Sequence, residues 1–315
     1  MSSVPQAPGD TGFTSARKRR GDAIFAGLSL SAGVTILVVL FLVAAFLVWQ
    51  AMPAITASPE EVRGGQGLVH YIAPLLFGTV VAAVIALVVG TPLAIGIALF
   101  ISHYAPRRLA SLLGYIIDLL AAVPSVIFGL WGFYVFGPWL MPTQQGLIEY
   151  LGFIPLFGGP ASPKSMLVTG LVLAIMILPI MTAVNREVFL QTPRLHEEAS
   201  LALGATRWEM IKQAVIPFSK SGIISGAMLG LGRALGETMA VAVILSASAR
   251  FTPVITSSAN PGTIAGDIAL QFPESSGLDV NTLIASGLVL FFLTLLVNMF
   301  ARWIVSRRSE FSGAN

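Results

Sequence analysis

Long apolar runs, not alternating ones, organise this chain. Six are long enough to cross a bilayer as helices, over roughly 24–49, 73–101, 109–136, 166–185, 222–246 and 282–305. Each is near or above the ~20 residues that a spanning helix needs. The pattern predicts an all-α membrane protein with six transmembrane helices in one domain over 21–308. A disordered basic segment, 1–20, is expected before it and a short tail, 309–315, after it. The first run follows Arg17-Lys18-Arg19-Arg20, the order of parts in a secretory leader. A leader's apolar core is only about 7–15 residues, so this longer run is expected to stay as a first helix.

Composition agrees with that pattern. Hydrophobic residues make up 55% and charged residues 10% of the 315 positions, against about a quarter charged in soluble domains. There is no cysteine, which excludes disulfides and thiol catalysis. His70, His103 and His196 lie far apart, without the spacing of a metal site. No catalytic constellation, metal site or cofactor held by the chain itself is expected, and no P-loop sequence is present to bind ATP. The net charge of +3 could suggest a nucleic-acid partner. In a membrane chain it reads instead as orientation, with lipid as the surroundings and no nucleic acid. With the amino terminus in the cytoplasm, 14 of the 18 Lys and Arg fall inside, three outside, and Arg233 within a span. Both termini are therefore expected to be cytoplasmic. That topology puts two long loops outside, 137–165 and 249–281, the second mostly polar, and the segment 186–220 inside.

The inside segment carries helix signals. Thr192 suits an N-cap and Pro193 a first helical position, with Glu197 and Glu198 close behind and Gly204 placed as a terminating glycine. Thr206-x-x-Glu209 has the form of a capping box, and Pro217 follows the run 208–215. Two short helices joined by a glycine turn are expected. On physical grounds alone they read as an amphipathic hairpin on the membrane surface.

The fifth run holds Gly222, Gly226 and Gly230 at spacings of four, a face that lets another helix approach closely. On a continuous helix Arg233 and Glu237 would share that stripe. Charge inside a bilayer costs at least about 2.5–3.5 kcal/mol per residue on insertion scales. Two readings stand: an ion pair that fixes helix packing, or a translocation path in which Arg233 faces a passing anion and Glu237 holds Arg233 or gates the path. Asp118, in the third run, is either a solvated residue near a helix end or an intramembrane polar group. Pro124 is expected to kink that helix.

The sequence also resembles a known family. Glu198-Ala199-Ser200, Gly204 and Ile216-Pro217 keep the spacing of the EAA loop of ABC-type import permeases, with Ser200 for the second Ala and Ala214 and Ile216 in place of the motif's Ile and Leu. Gly232-Arg233-Ala234-Leu235-Gly236-Glu237-Thr238-Met239-Ala240 is similar to the fifth-span motif of phosphate import permeases, closer to the PstC type than the PstA type. Asp118 to Ser125 and Phe128 to Trp131 are similar to the third span of the same type. The resemblance covers roughly 24–305. It implies a type I (MetI-like) importer permease forming a heterodimer with a PstA-type permease. It implies a PstB-type ATP-binding subunit dimer, which would carry ATP and Mg, and a PstS-type extracytoplasmic phosphate-binding protein. It further implies that Glu198, Ala199, Ser200, Gly204 and Pro217 belong to a loop coupling the chain to the ATPase, and that Arg233 and Glu237 take part in passage of phosphate. Sulfate or molybdate permeases share the loop but not the Arg233–Glu237 motif in this form. A secondary anion transporter would have no use for a docking helix. A membrane enzyme would need a nucleophile–base set that is missing.

Overall fold

A computed structural model describes residues 20–245 and 251–306. Residues 1–19 of the expected disordered segment, the end of the fifth run at 246 and the residues from 307 onward, with the expected tail 309–315, lie outside the described residues, while Arg20 already belongs to a helix. All regular structure among the described residues is helical. Six helices are long and apolar enough to cross a membrane: 24–56, 68–104, 125–151, 166–190, 207–235 and 278–304.

The chain divides into two units, one ending at Phe46 and one beginning at Leu47. The first, over 20–46, is the greater part of helix α1 (Arg20–Thr56). Its apolar side chains, among them Leu30, Leu37 and Phe41, are exposed. A helix that is apolar all round suits hydrocarbon surroundings.

The second unit is built on α2 (Leu68–Leu99) and α6 (Met166–Leu190). Val168, Val172, Leu173, Ile177 and Met181 of α6 are essentially inaccessible. The two helices touch closely because small residues face the partner's bulk. Gly170 lies against Ile85, and Gly90 against Ile177. Ala51 and Ala54 join Tyr71, Leu75 and Ile264 in a second core with Leu283 and Ala285 of α12 (Leu278–Ser306).

Two spans differ from the sequence reading. The third apolar run is not one helix. It begins as α3 (Arg107–Ala121), an amphipathic helix with only Gly114 buried. Val123-Pro124 ends it, since a residue before proline disfavours the α region. The span itself starts at α4 (Ser125–Trp131), passes a wide π-type turn (Gly132–Phe136) and continues as α5 (Gly137–Leu151). The second half of the span falls within 137–165, the segment expected as an outside loop. Burial decides otherwise: Gln144 is inaccessible, and its Nε2 donates to the Ser162 carbonyl at 3.3 Å.

The fifth span is likewise broken, as described below. The expected polar loop before α12 folds back into the body: residues 255–257 and 260–267 are buried. It includes α11 (Ile264–Gln271). Backbone bonds tie it to the 152–165 loop and to the start of α6, with Ile255 N–H donating to Leu156 O at 2.9 Å and Leu167 N–H to Ile255 O at 2.8 Å. Such pairing is what buried irregular backbone requires.

Candidate functional site

Two regions collect the residues singled out by the sequence: the break in the fifth span, and the hairpin between α6 and that span.

Helix α9 (Ile216–Leu235) lays its glycines on α6. A Cβ added at Gly222 would collide with Val188; at Gly226 it would lie 3.1 Å from Asn185 Oδ1, and at Gly230 2.7 Å from Met181 Sδ. Arg233 stands at the margin of this buried stripe, partly buried, between Gly230 and Ala234 on one side and exposed Leu229 and Gly232 on the other. Its Nε is buried without a hydrogen-bond partner.

Glu237 does not continue the stripe. The helix stops at Leu235, Gly236 caps it by donating to Gly232 O at 3.3 Å, and Thr238 Oγ1 donates to Gly236 O at 3.1 Å. Side-chain competition for the Gly236 carbonyl interrupts the ladder. Glu237 falls in the break, buried, and its Oε1 accepts the Ala240 N–H at 3.1 Å. It thereby satisfies an orphan donor at the start of α10 (Met239–Ile244). Among the described residues the one acid–base pair within ion-pair reach is His103–Glu197. The Arg233–Glu237 ion pair offered as one reading is therefore not formed. What results is a buried carboxylate held by backbone, with a cation close by in sequence whose guanidinium is incompletely bonded.

Helix α10, just past the break, is closely packed. Gly129 of α4 faces Ala240, Gly132 faces Ile244 and Val172, and Gly266 of α11 faces Val241. A small cavity of about 10 Å³, near the size of one water, lies between Val241, Leu245, Gly262 and Asp267. Asp267 was not anticipated from the sequence. It is buried, it accepts a hydrogen bond from Tyr71 Oη of α2 at 2.5 Å, and burial pushes its carboxyl above the ordinary value. The Tyr71 bond and the charge of Arg63 act against that shift. Arg63 is itself bonded to Gln271 and to Ser275 Oγ. Asp118 lies on α3, exposed, and outside the third candidate span.

In the hairpin, α7 (Arg194–Ala202) starts one residue later than expected, with Pro193 at the cap. Thr192 is no N-cap: it is buried and its Oγ1 has no partner. Gly204 has φ +87°, where a Cβ would be strained, and Ala205 N–H closes the end of α7 on Ser200 O at 3.2 Å. The Thr206–Glu209 capping box is present at α8 (Arg207–Met210). Pro217 does not end the second helix as expected. A wide turn over Ile211–Val215 absorbs its missing N–H and ring, and the helix runs on from Arg207 to Leu235. Glu198 and Ala199 are exposed and Ser200 is partly buried. Leu195, Leu203 and Trp208 are exposed beside them.

Residues 90–310 match the family described as "Binding-protein-dependent transport system inner membrane component". The "Phosphate transport system permease protein PstC 2" of Mycobacterium tuberculosis is 43% identical over 300 residues, covering 91% of this chain and 92% of that one. The "Phosphate transport system permease protein PstC" of Mesorhizobium japonicum is 37% identical over 304 residues, covering 93% and 92%. Among solved structures, a bacterial alginate ABC transporter in complex with an alginate-bound periplasmic protein superposes with TM-score 0.57, at 18% identity, covering 92% and 98%. The inward-facing MetNI methionine ABC transporter gives TM-score 0.51 at 17% identity, covering 76% and 95%.

Proposed function

We propose, from the premise that this chain belongs to the family of binding-protein-dependent transport system inner membrane components, that it is the PstC-type permease subunit of an ATP-driven phosphate importer. The observation that carries the cargo is the match to phosphate transport permeases across nine-tenths of both chains. Partial burial of Arg233 with an unpartnered Nε supports an anion over a cation as the passing species. Arg233 and Glu237 are assigned to the translocation path, Arg233 meeting the anion and Glu237 holding the break.

The exposed acid and apolar residues of the hairpin, Glu198, Leu195, Leu203 and Trp208, suit docking on a partner. That partner is taken to be the ATP-binding subunit dimer, which carries ATP and Mg. A PstA-type permease would complete the path, and a PstS-type binding protein would deliver phosphate. The basic-residue bias supports placing both termini and the hairpin on the cytoplasmic side.

The test is ATP-dependent uptake of labelled phosphate into vesicles holding this chain and those partners, with excess unlabelled sulfate as competitor. Uptake that needs ATP and ignores sulfate is expected. Uptake driven by an ion gradient without ATP would overturn the importer. ATP-dependent uptake blocked by sulfate would keep the importer and change its cargo.

A further inference from the structure

Helix α7 is weakly anchored. None of its residues is buried. Among the described residues its side chains make two polar links to other elements. Ser200 Oγ donates to Gln213 Oε1 at 3.4 Å, which stays within the hairpin. Glu197 Oε1 lies 3.6 Å from His103 Nε2, which leaves the hairpin for the wide turn (Phe100–Tyr104) that ends the second candidate span. Between the two sides is a cavity of about 290 Å³ lined by Ser102, His103, Glu197, Leu201, Arg207 and Met210. The side chains of His103 and Glu197, 10% and 23% exposed, stand together on the wall of that cavity.

Ser102 Oγ lies 2.8 Å from the Ala98 carbonyl and 2.7 Å from His103 Nδ1. When the one Ser102 O–H donates to Ala98, the second contact is an Nδ1–H donating to Oγ. With Nδ1 protonated, a neutral ring presents a bare lone pair at Nε2 to the Glu197 carboxylate, and the two repel. A second proton, at Nε2, turns the contact into an ion pair. The other charged groups near this turn are Arg207 of α8, which lines the same cavity, and Arg107 and Arg108 at the start of α3, both exposed. Tyr104 shares the turn, and Arg186 of α6 is directed onto Gly114 of α3.

We infer that His103 and Glu197 are positioning residues for energy coupling: their ion pair, formed when His103 carries both ring protons, ties the docking helix to the second span. Motion of α7 passes to α2 while the tie is closed. Loss of the Nε2 proton opens it and leaves Arg207 as the other cation lining the cavity. The inference rests on the reading of α7 as the docking helix of an importer.

The assembled importer in vesicles tests it, reading phosphate moved per ATP hydrolysed from about pH 6 to about pH 8 on the hairpin side. Wild type is expected to couple less well as pH rises. His103→Gln and Glu197→Gln are expected to lower the ratio about two- to fivefold at the acidic end, the size of one lost ion pair. His103→Lys, which keeps a cation at all these pH values, is expected to hold the ratio high and flat. The chain has no cysteine, so a His103→Cys, Glu197→Cys double variant can be bridged by a thiol cross-linker after assembly. Bridging is expected to restore a pH-independent ratio even if the single variants assemble poorly. Equal, flat ratios in wild type and His103→Gln overturn the inference alone, as does a bridge that changes nothing. Absence of any ATP-dependent uptake by wild type overturns the importer reading and this inference with it.

Discussion

Arg233 and Glu237 are neighbours in sequence but do different work in the structure. Glu237 accepts a backbone N–H inside the break, so its oxygen is a local structural need as well as a charge. Glu237→Gln keeps an acceptor oxygen for Ala240 and removes the charge alone. Among the described residues Arg233 makes no ion pair that its removal would break, so Arg233→Ala is expected to leave assembly with the partners intact. It should lower phosphate uptake at least about tenfold, the effect of ~1.4 kcal/mol on a barrier. Normal uptake with either variant, measured on the purified and assembled transporter, would return both residues to a structural role. The 3.1 Å bond from Ala240 explains why Glu237→Ala is the poorer probe, because it leaves a buried donor unpaired.

At the scale of elements, the α6–α9 seam is close-packed. Gly222 faces Val188, whose branched Cβ has few rotamers to yield with. Gly222→Ala is expected to destabilise the chain by about 1–3 kcal/mol, the usual cost of overpacking, read as a lower unfolding midpoint in detergent. An unchanged midpoint would mean the two helices can part locally. The re-entrant α11 carries a pH dependence. Burial raises the Asp267 carboxyl above its ordinary value, so the folded state favours its protonated form. The stability this group contributes is full below the unfolded value of ~3.9 and is lost as pH rises through the raised folded one. Wild type should therefore lose more of the 251–277 segment's protection from hydrogen exchange on going from acid to neutral pH than Asp267→Asn does. Parallel curves would remove Asp267 from that account.

For the whole molecule, the chain is a multi-pass inner-membrane protein whose fold matches importer permeases. Two surfaces then need partners. The hairpin offers exposed Glu198 next to exposed Leu195, Leu203 and Trp208. Glu198→Lys is expected to weaken association with the ATP-binding subunits about two- to tenfold, the range for a charge at an interface rim, measured by co-purification and by ATPase stimulation. Full association together with full coupling would place the docking surface elsewhere. The open face of α9, with Ser225, Leu229 and Gly232 exposed, is the other. It runs beside Arg233, where a partner permease would close the proposed path.

Amino-acid order alone determined the number of spans, the helical class and the family, because runs of some 20 apolar residues and spaced motifs are one-dimensional signals. It also determined the Gly204 turn and the Thr206–Glu209 box, whose bonds reach only a few residues along the chain. Helix continuity was decided by the tertiary structure. Whether Pro217 ends a helix or sits behind a wide turn, and whether Gly236 breaks one, depends on what the neighbouring helices bury. Polar residues misled for the same reason. Gln144 and the 255–267 segment read as solvated loops until partners distant in sequence, such as Ser162, Leu156 and Tyr71, supplied their hydrogen bonds. The pairing of His103 with Glu197 belongs to the fold too, since 94 positions separate two residues that meet only when the hairpin returns to the end of the second span.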